Sequence, residues 1–155
     1  NGGDLGGNGA SMFFGGGRWV RYGQTKLANA AFTACLHEKL QASGSKIKAL
    51  VAHPGLAETD LQSTTVREGG MGEWFTKQLM KTGQSREDGT LGILTCMAHS
   101  DVQSGQFFGP GMGGMFTALK GPAKGYPLEA SYDNSSTREI LWTNSCAAIG
   151  EDFNI

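Results

Sequence analysis

The sequence predicts an α/β chain in which short buried strands are covered by helices on both faces. Three observations predict it. From about Trp19 to Ser43, Leu27, Ala30, Ala31, Ala34, Cys35 and Leu40 recur at threes and fours, the period of a helix with one apolar side. From Ile47 to His53 comes an apolar run that does not alternate strictly, as expected of a strand buried on both faces. Gly105-Gln106-Phe107-Phe108-Gly109 reads as a second short strand, bounded by glycine and closed by Pro110.

Taken in order, the chain opens on a glycine-rich entry, residues 1–17, that carries Gly7-Asn8-Gly9 and Gly15-Gly16-Gly17. The first of these is no dinucleotide fingerprint, which needs a strand before it and a helix after it. In the helix that follows, Ala28, Ala30, Ala31 and Ala34 make one side small. That side suits close packing on the helix's own sheet or on a second subunit. Gly44 is a fitting helix stop. The strand from Ile47 ends at Pro54-Gly55, where proline fixes a turn and glycine lets backbone approach a ligand closely. Met71, Trp74, Phe75, Leu79 and Met80 then have helical spacing. Ser85, with Asp88 three residues on, caps a helix running through Leu91, Leu94 and Cys96 to about Ala98. The stretch from Gly109 to Gly125 reads as a long loop. Ser135 or Ser136 caps a terminal helix through Ile140, Leu141, Trp142 and Ala147, with Arg138 and Glu139 on a solvated face.

Composition narrows the function classes. A chain of 155 residues can bury a sizeable core. A formal net charge of -1 implies no nucleic-acid partner. Cys35, Cys96 and Cys146 stand far apart, with neither a metal nor a disulfide spacing, and their odd count suits a reducing compartment. His37 and His99 have no cysteine or carboxylate at ligand spacing, so no metal site is expected. No apolar run approaches the roughly 20 residues of a membrane span.

Chemistry concentrates in Tyr22-Gly23-Gln24-Thr25-Lys26-Leu27-Ala28-Asn29. Tyr22 and Lys26 are four residues apart, one turn on the same helix face. A free phenol, with a pKa near 10, is a poor proton donor or acceptor at neutral pH. A neighbouring ammonium favours the phenolate and draws the group toward its working range. The pair therefore suits interconversion of an alcohol and a carbonyl. His53 reads as a side chain that satisfies a backbone group at the strand end rather than as an acid or base.

Tyr22 to Asn29, followed by His53-Pro54-Gly55-Leu56-Ala57-Glu58-Thr59-Asp60-Leu61-Gln62, closely resembles the carboxyl-terminal half of a short-chain dehydrogenase/reductase. The branch it is most similar to holds the retinol dehydrogenases and the WW-domain oxidoreductase. The resemblance continues through Gly105 to Pro110 and Leu141-Trp142. It implies the last two strands and flanking helices of a doubly wound Rossmann-type parallel sheet, with Gly105 to Gly109 as the edge strand and an incomplete amino-terminal half. Residues 1–155 are then one partial domain, with 1–17 as a loop and 18–155 as the catalytic and substrate-binding half. The implied activity is NAD(P)-dependent hydride transfer, the resemblance leaning to NADP. Tyr22 and Lys26 are the implied catalytic residues. Cofactor contacts fall to Tyr22, Lys26, Pro54, Gly55 and Thr59. The implied partner is a small-molecule alcohol or carbonyl of apolar character, retinoid- or steroid-like or a bulkier carbonyl, met by a lid that includes Trp74 and Phe75. A homo-oligomer is implied for the full-length protein, and so is a cytoplasmic location, with any targeting or anchor segment lying before Asn1.

The phosphate loop and the residue that selects the cofactor are expected upstream of Asn1. The same holds for the catalytic serine, since Ser11 stands closer to Tyr22 than the family's serine does. The 155 residues alone are expected to be unstable and inactive. Two other readings follow from the same residues. One is a non-catalytic remnant that dimerises through the helix from Trp19. The other is an epimerase or dehydratase of the extended branch, which shares Tyr-x-x-x-Lys.

Overall fold

The computed structural model describes residues 17–59, 64, 66–67, 72–111, 120–130, 133–153 and 155. The predicted entry loop, Ser11, and most of the segment between Asp60 and Met71 lie outside them. In order, the elements are α1 (Gly17–Ala42), β1 (Leu50–Ala52), α2 (Glu73–Met80), α3 (Arg86–Gly89), α4 (Leu91–Ala98), β2 (Gln106–Gly109), β3 (Lys124–Pro127) and α5 (Ser135–Ile149). The chain is α/β, with a small mixed sheet of order β1-β2-β3.

β1 and β2 are parallel, with Val51 opposite Phe107 and Ala52 opposite Phe108. β2 and β3 are antiparallel, with Phe107 opposite Tyr126 and Phe108 opposite Gly125. Two expectations are corrected here. β2 is not the edge strand, and Lys124–Pro127 belongs to the sheet rather than to a loop. The edge of β2 offers backbone partners that a glycine-rich composition does not reveal. Gly125 also suits its place, since a Cβ there would stand 3.0 Å from the Phe108 ring. β1 is shorter than the apolar run predicts, because Ile47 lies before the pairing and is 68% exposed.

Alternation of side chains along the strands puts helices on both faces. On one face Phe107 packs with the buried Ala30 and Ala31 of α1, together with Leu128 and Leu141. On the other, α4 approaches so closely that a Cβ on Gly92 would meet the Ala52 Cβ at 3.3 Å. The small side of α1 is therefore used within the chain.

Helix ends follow local chemistry. α1 stops at Gly44, whose φ of +69° is the left-handed conformation glycine adopts freely. Ser85 Oγ accepts from the Asp88 N–H at 3.0 Å, as the cap predicts. The expected single helix beyond it breaks at Thr90 into α3 and α4. The cap of α5 is Asn134 rather than either serine, its Oδ1 accepting from the Thr137 N–H at 2.9 Å. Arg138 is no solvated charge. It is half-buried, with Nε 2.9 Å from Glu38 Oε2 of α1, and it also pairs with Asp133. Beneath it the buried Cys35 thiol donates to the Arg138 carbonyl at 3.4 Å. Burial pushes that thiol's pKa above its ordinary value.

Candidate functional site

The site is built where α1 and the sheet end together. His37, late in α1, has Nδ1 2.9 Å from Ser104 Oγ, just before β2. Ala30 and Ala31 pack against Phe107, in the middle of β2. α1 thus runs antiparallel to the parallel strands. A helix advances about 1.5 Å per residue and a strand about 3.3 Å. The turn that holds Tyr22 and Lys26 is therefore carried toward the carboxyl ends of β1 and β2. In that turn Lys26 Nζ lies 5.4 Å from the centroid of the Tyr22 ring. Tyr22 is 41% exposed.

Pro54, Gly55 and Thr59 form a second group, in the loop that leaves the carboxyl end of β1. In doubly wound sheets this is the end where ligands bind. Gly55 has φ of +65°, which a side chain would strain. Thr59 is exposed near the end of the described loop. Trp74, on α2, is 74% exposed.

Two residues outside the predicted set shape this loop. The first is His53, whose Nδ1 accepts from the Gly55 N–H at 3.1 Å. It satisfies a backbone group at the strand end, as its position suggests. Its ring packs on Phe107 with centroids 5.2 Å apart. It also occupies the space above Gly109, where an added Cβ would stand 2.0 Å from ring atoms. Burial pushes the imidazole pKa below its ordinary 6.5, partly offset by the Pro110 carbonyl. The second is Gln84, whose Nε2 donates to the Pro54 carbonyl at 2.6 Å. No sequence motif marks Gln84, and only its pairing in space reveals it.

An open groove of about 490 Å³ lies elsewhere, between α1 and α5. Cys35, Glu38, Lys39, Arg138 and Trp142 line it, and none of the predicted site residues does. Its charges are largely spent on one another, through the Arg138 pairs with Glu38 and Asp133.

No family model matches the chain, and no curated protein matches it. Among solved structures the chain is similar to an uncharacterized protein from Mycobacterium Paratuberculosis, with 26% sequence identity and a TM-score of 0.56. The likeness covers 88% of this chain and 41% of that one. The chain therefore spans less than half the length of that structure, and what the two have in common is an α/β fold.

Proposed function

We propose that the chain is the carboxyl-terminal half of a nicotinamide-dependent oxidoreductase of the short-chain dehydrogenase/reductase type, built on a doubly wound Rossmann-type sheet. The observation that carries the reading is Lys26 Nζ held 5.4 Å from the Tyr22 ring, on a helix directed at the carboxyl ends of parallel strands. The Tyr22 hydroxyl, the Lys26 ammonium and the Thr59 hydroxyl are donors of the kinds that suit the ribose hydroxyls and carboxamide of a nicotinamide nucleotide. The φ of +65° at Gly55 adds a side-chain-free approach. The phosphate half of such a cofactor would be held by residues of the longer protein, paired through the edge of β1 that no described strand occupies.

A bound nicotinamide would supply hydride chemistry, taking the hydride from an alcohol carbon or returning it to a carbonyl. Tyr22 moves the accompanying proton. In oxidation the Tyr22 oxygen would take the proton of the substrate O–H as the C–H electron pair passed, as hydride, to a bound nicotinamide. Lys26 steadies the negative charge on the Tyr22 oxygen and binds ribose hydroxyls. Pro54, Gly55 and Thr59 line the nicotinamide side. Trp74 and Phe75 favour an apolar substrate. NADP is the preferred form on resemblance, and the cytoplasm is the proposed location.

The test is reduction of apolar carbonyls by NADH and NADPH in the longest natural form of the protein. Tyr22→Phe keeps the ring and removes the proton carrier. It is expected to lower the rate about 10²–10⁴-fold, the usual worth of a positioned acid/base group. Activity that survives this change undiminished would overturn the reading.

A further inference from the structure

We propose that His53 and Gln84 together clamp one peptide plane, that between Pro54 and Gly55, and so fix which of its polar groups an incoming molecule meets. The inference rests on the proposed function only for the identity of that molecule.

The clamp is defined by two hydrogen bonds to opposite ends of the same peptide unit. The Pro54 carbonyl accepts from Gln84 Nε2 at 2.6 Å. The Gly55 N–H donates to His53 Nδ1 at 3.1 Å. Glycine after proline, with φ of +65°, is where a peptide plane turns over at little steric cost. Turning it over would exchange carbonyl for N–H at the surface of the loop. Either bond alone opposes that rotation, and the two together oppose it from both ends.

Gln84 is itself held from several sides. Its Oε1 accepts from the Gly121 N–H at 3.0 Å, which settles which end of the amide faces Pro54. Its backbone N–H donates to the Leu56 carbonyl at 2.8 Å, and its carbonyl accepts from the Glu58 N–H at 3.0 Å. The side chain thus ties the loop after β1 to the segment leading into β3. Glutamate in its place keeps the acceptor for Gly121 but sets a carboxylate oxygen against the Pro54 carbonyl. Gln84→Glu therefore breaks the clamp selectively, and Gln84→Ala removes both side-chain bonds while sparing the backbone bridge. Both residues are positioning residues in this account.

Amide hydrogen exchange on the longest natural form of the protein, read residue by residue by NMR, tests it. In Gln84→Glu the Gly55 amide is expected to exchange about tenfold faster, the factor carried by one hydrogen bond of ordinary net strength. Gly121 should keep its wild-type rate in that variant and lose it in Gln84→Ala. A structural role without the clamp would move Gly55 and Gly121 together in both variants. A wild-type Gly55 amide that exchanges at the unstructured rate overturns the proposal without any variant. So does a Gln84→Glu variant with unchanged Gly55 exchange. Titration with NADH, run in parallel, separates the two readings. Wild type that shows the exchange pattern but binds no NADH leaves the clamp standing and sinks the cofactor. Binding without the pattern does the reverse.

Discussion

Gly109 and His53 are a matched pair, and the match is steric. An added Cβ at Gly109 would stand 2.0 Å from the His53 ring. The ring cannot swing aside without losing its bond to the Gly55 N–H. Gly109→Ala is therefore expected to destabilise the fold by about 1–3 kcal/mol, the cost of forcing extra volume into a packed site. A shift of the urea midpoint of the longest natural form of the protein measures it. His53 also makes stability depend on pH. Its folded pKa is lowered by burial, so below the unfolded value of about 6.5 the unfolded chain binds more protons than the folded one. The contribution is complete above that value and is lost as pH falls below it. Urea midpoints of the longest natural form, taken at about pH 8 and about pH 5, should differ in that direction, and His53→Gln should shrink the difference. The tie between His53 and the backbone at the end of β1 could be read from sequence, because its partner is two residues away. The dependence on Gly109 could not, because the two are brought together only by the pairing of β1 with β2.

At the scale of elements, α5 shows how a local rule can be applied one residue off. Asn134 and Ser135 are both good capping residues, and sequence alone favours neither. In the structure Asn134 has extended backbone and bonds the Thr137 N–H, while Ser135 is the first helical residue. Asn134→Ala is expected to cost about 1 kcal/mol of stability, and Ser135→Ala to cost much less. Thermal melts of the two variants, made in the longest natural form of the protein, would check the contrast. β3 was hidden for a different reason. Lys124-Gly125-Tyr126-Pro127 holds two residue types that strands generally avoid. It forms because β2 supplies the partners and because the absence of a Cβ at Gly125 makes room for Phe108. The break at Thr90 belongs with it, since Gly89 sits where a Cβ would lie 2.8 Å from Ala57.

At the scale of the molecule, the described sheet has β1 at one edge, flanked by helices with much apolar surface on view. On α4, Ile93 is 55% exposed, Leu94 53% and Met97 78%. An unpaired strand edge beside such a surface is a template for association. The 155 residues on their own are expected to associate, bind hydrophobic dye and unfold without a sharp transition. Sedimentation and urea denaturation test this, and a monomer that unfolds cooperatively would refute it.

The helix of Tyr22 and Lys26, its stop at Gly44, the cap at Ser85 and the two parallel strands were legible in the order of residues. Each depends on contacts a few positions apart or on an apolar period. The third strand, the Arg138 pair with Glu38 and the Gln84 hold on Pro54 were not. Their partners lie some 15 to 100 residues apart along the chain, and such distant pairs are chosen by register and packing rather than by any local preference. The spacing of Tyr22 and Lys26 was therefore visible in the sequence, whereas the shape of the loop after β1 came only from how the chain closes on itself.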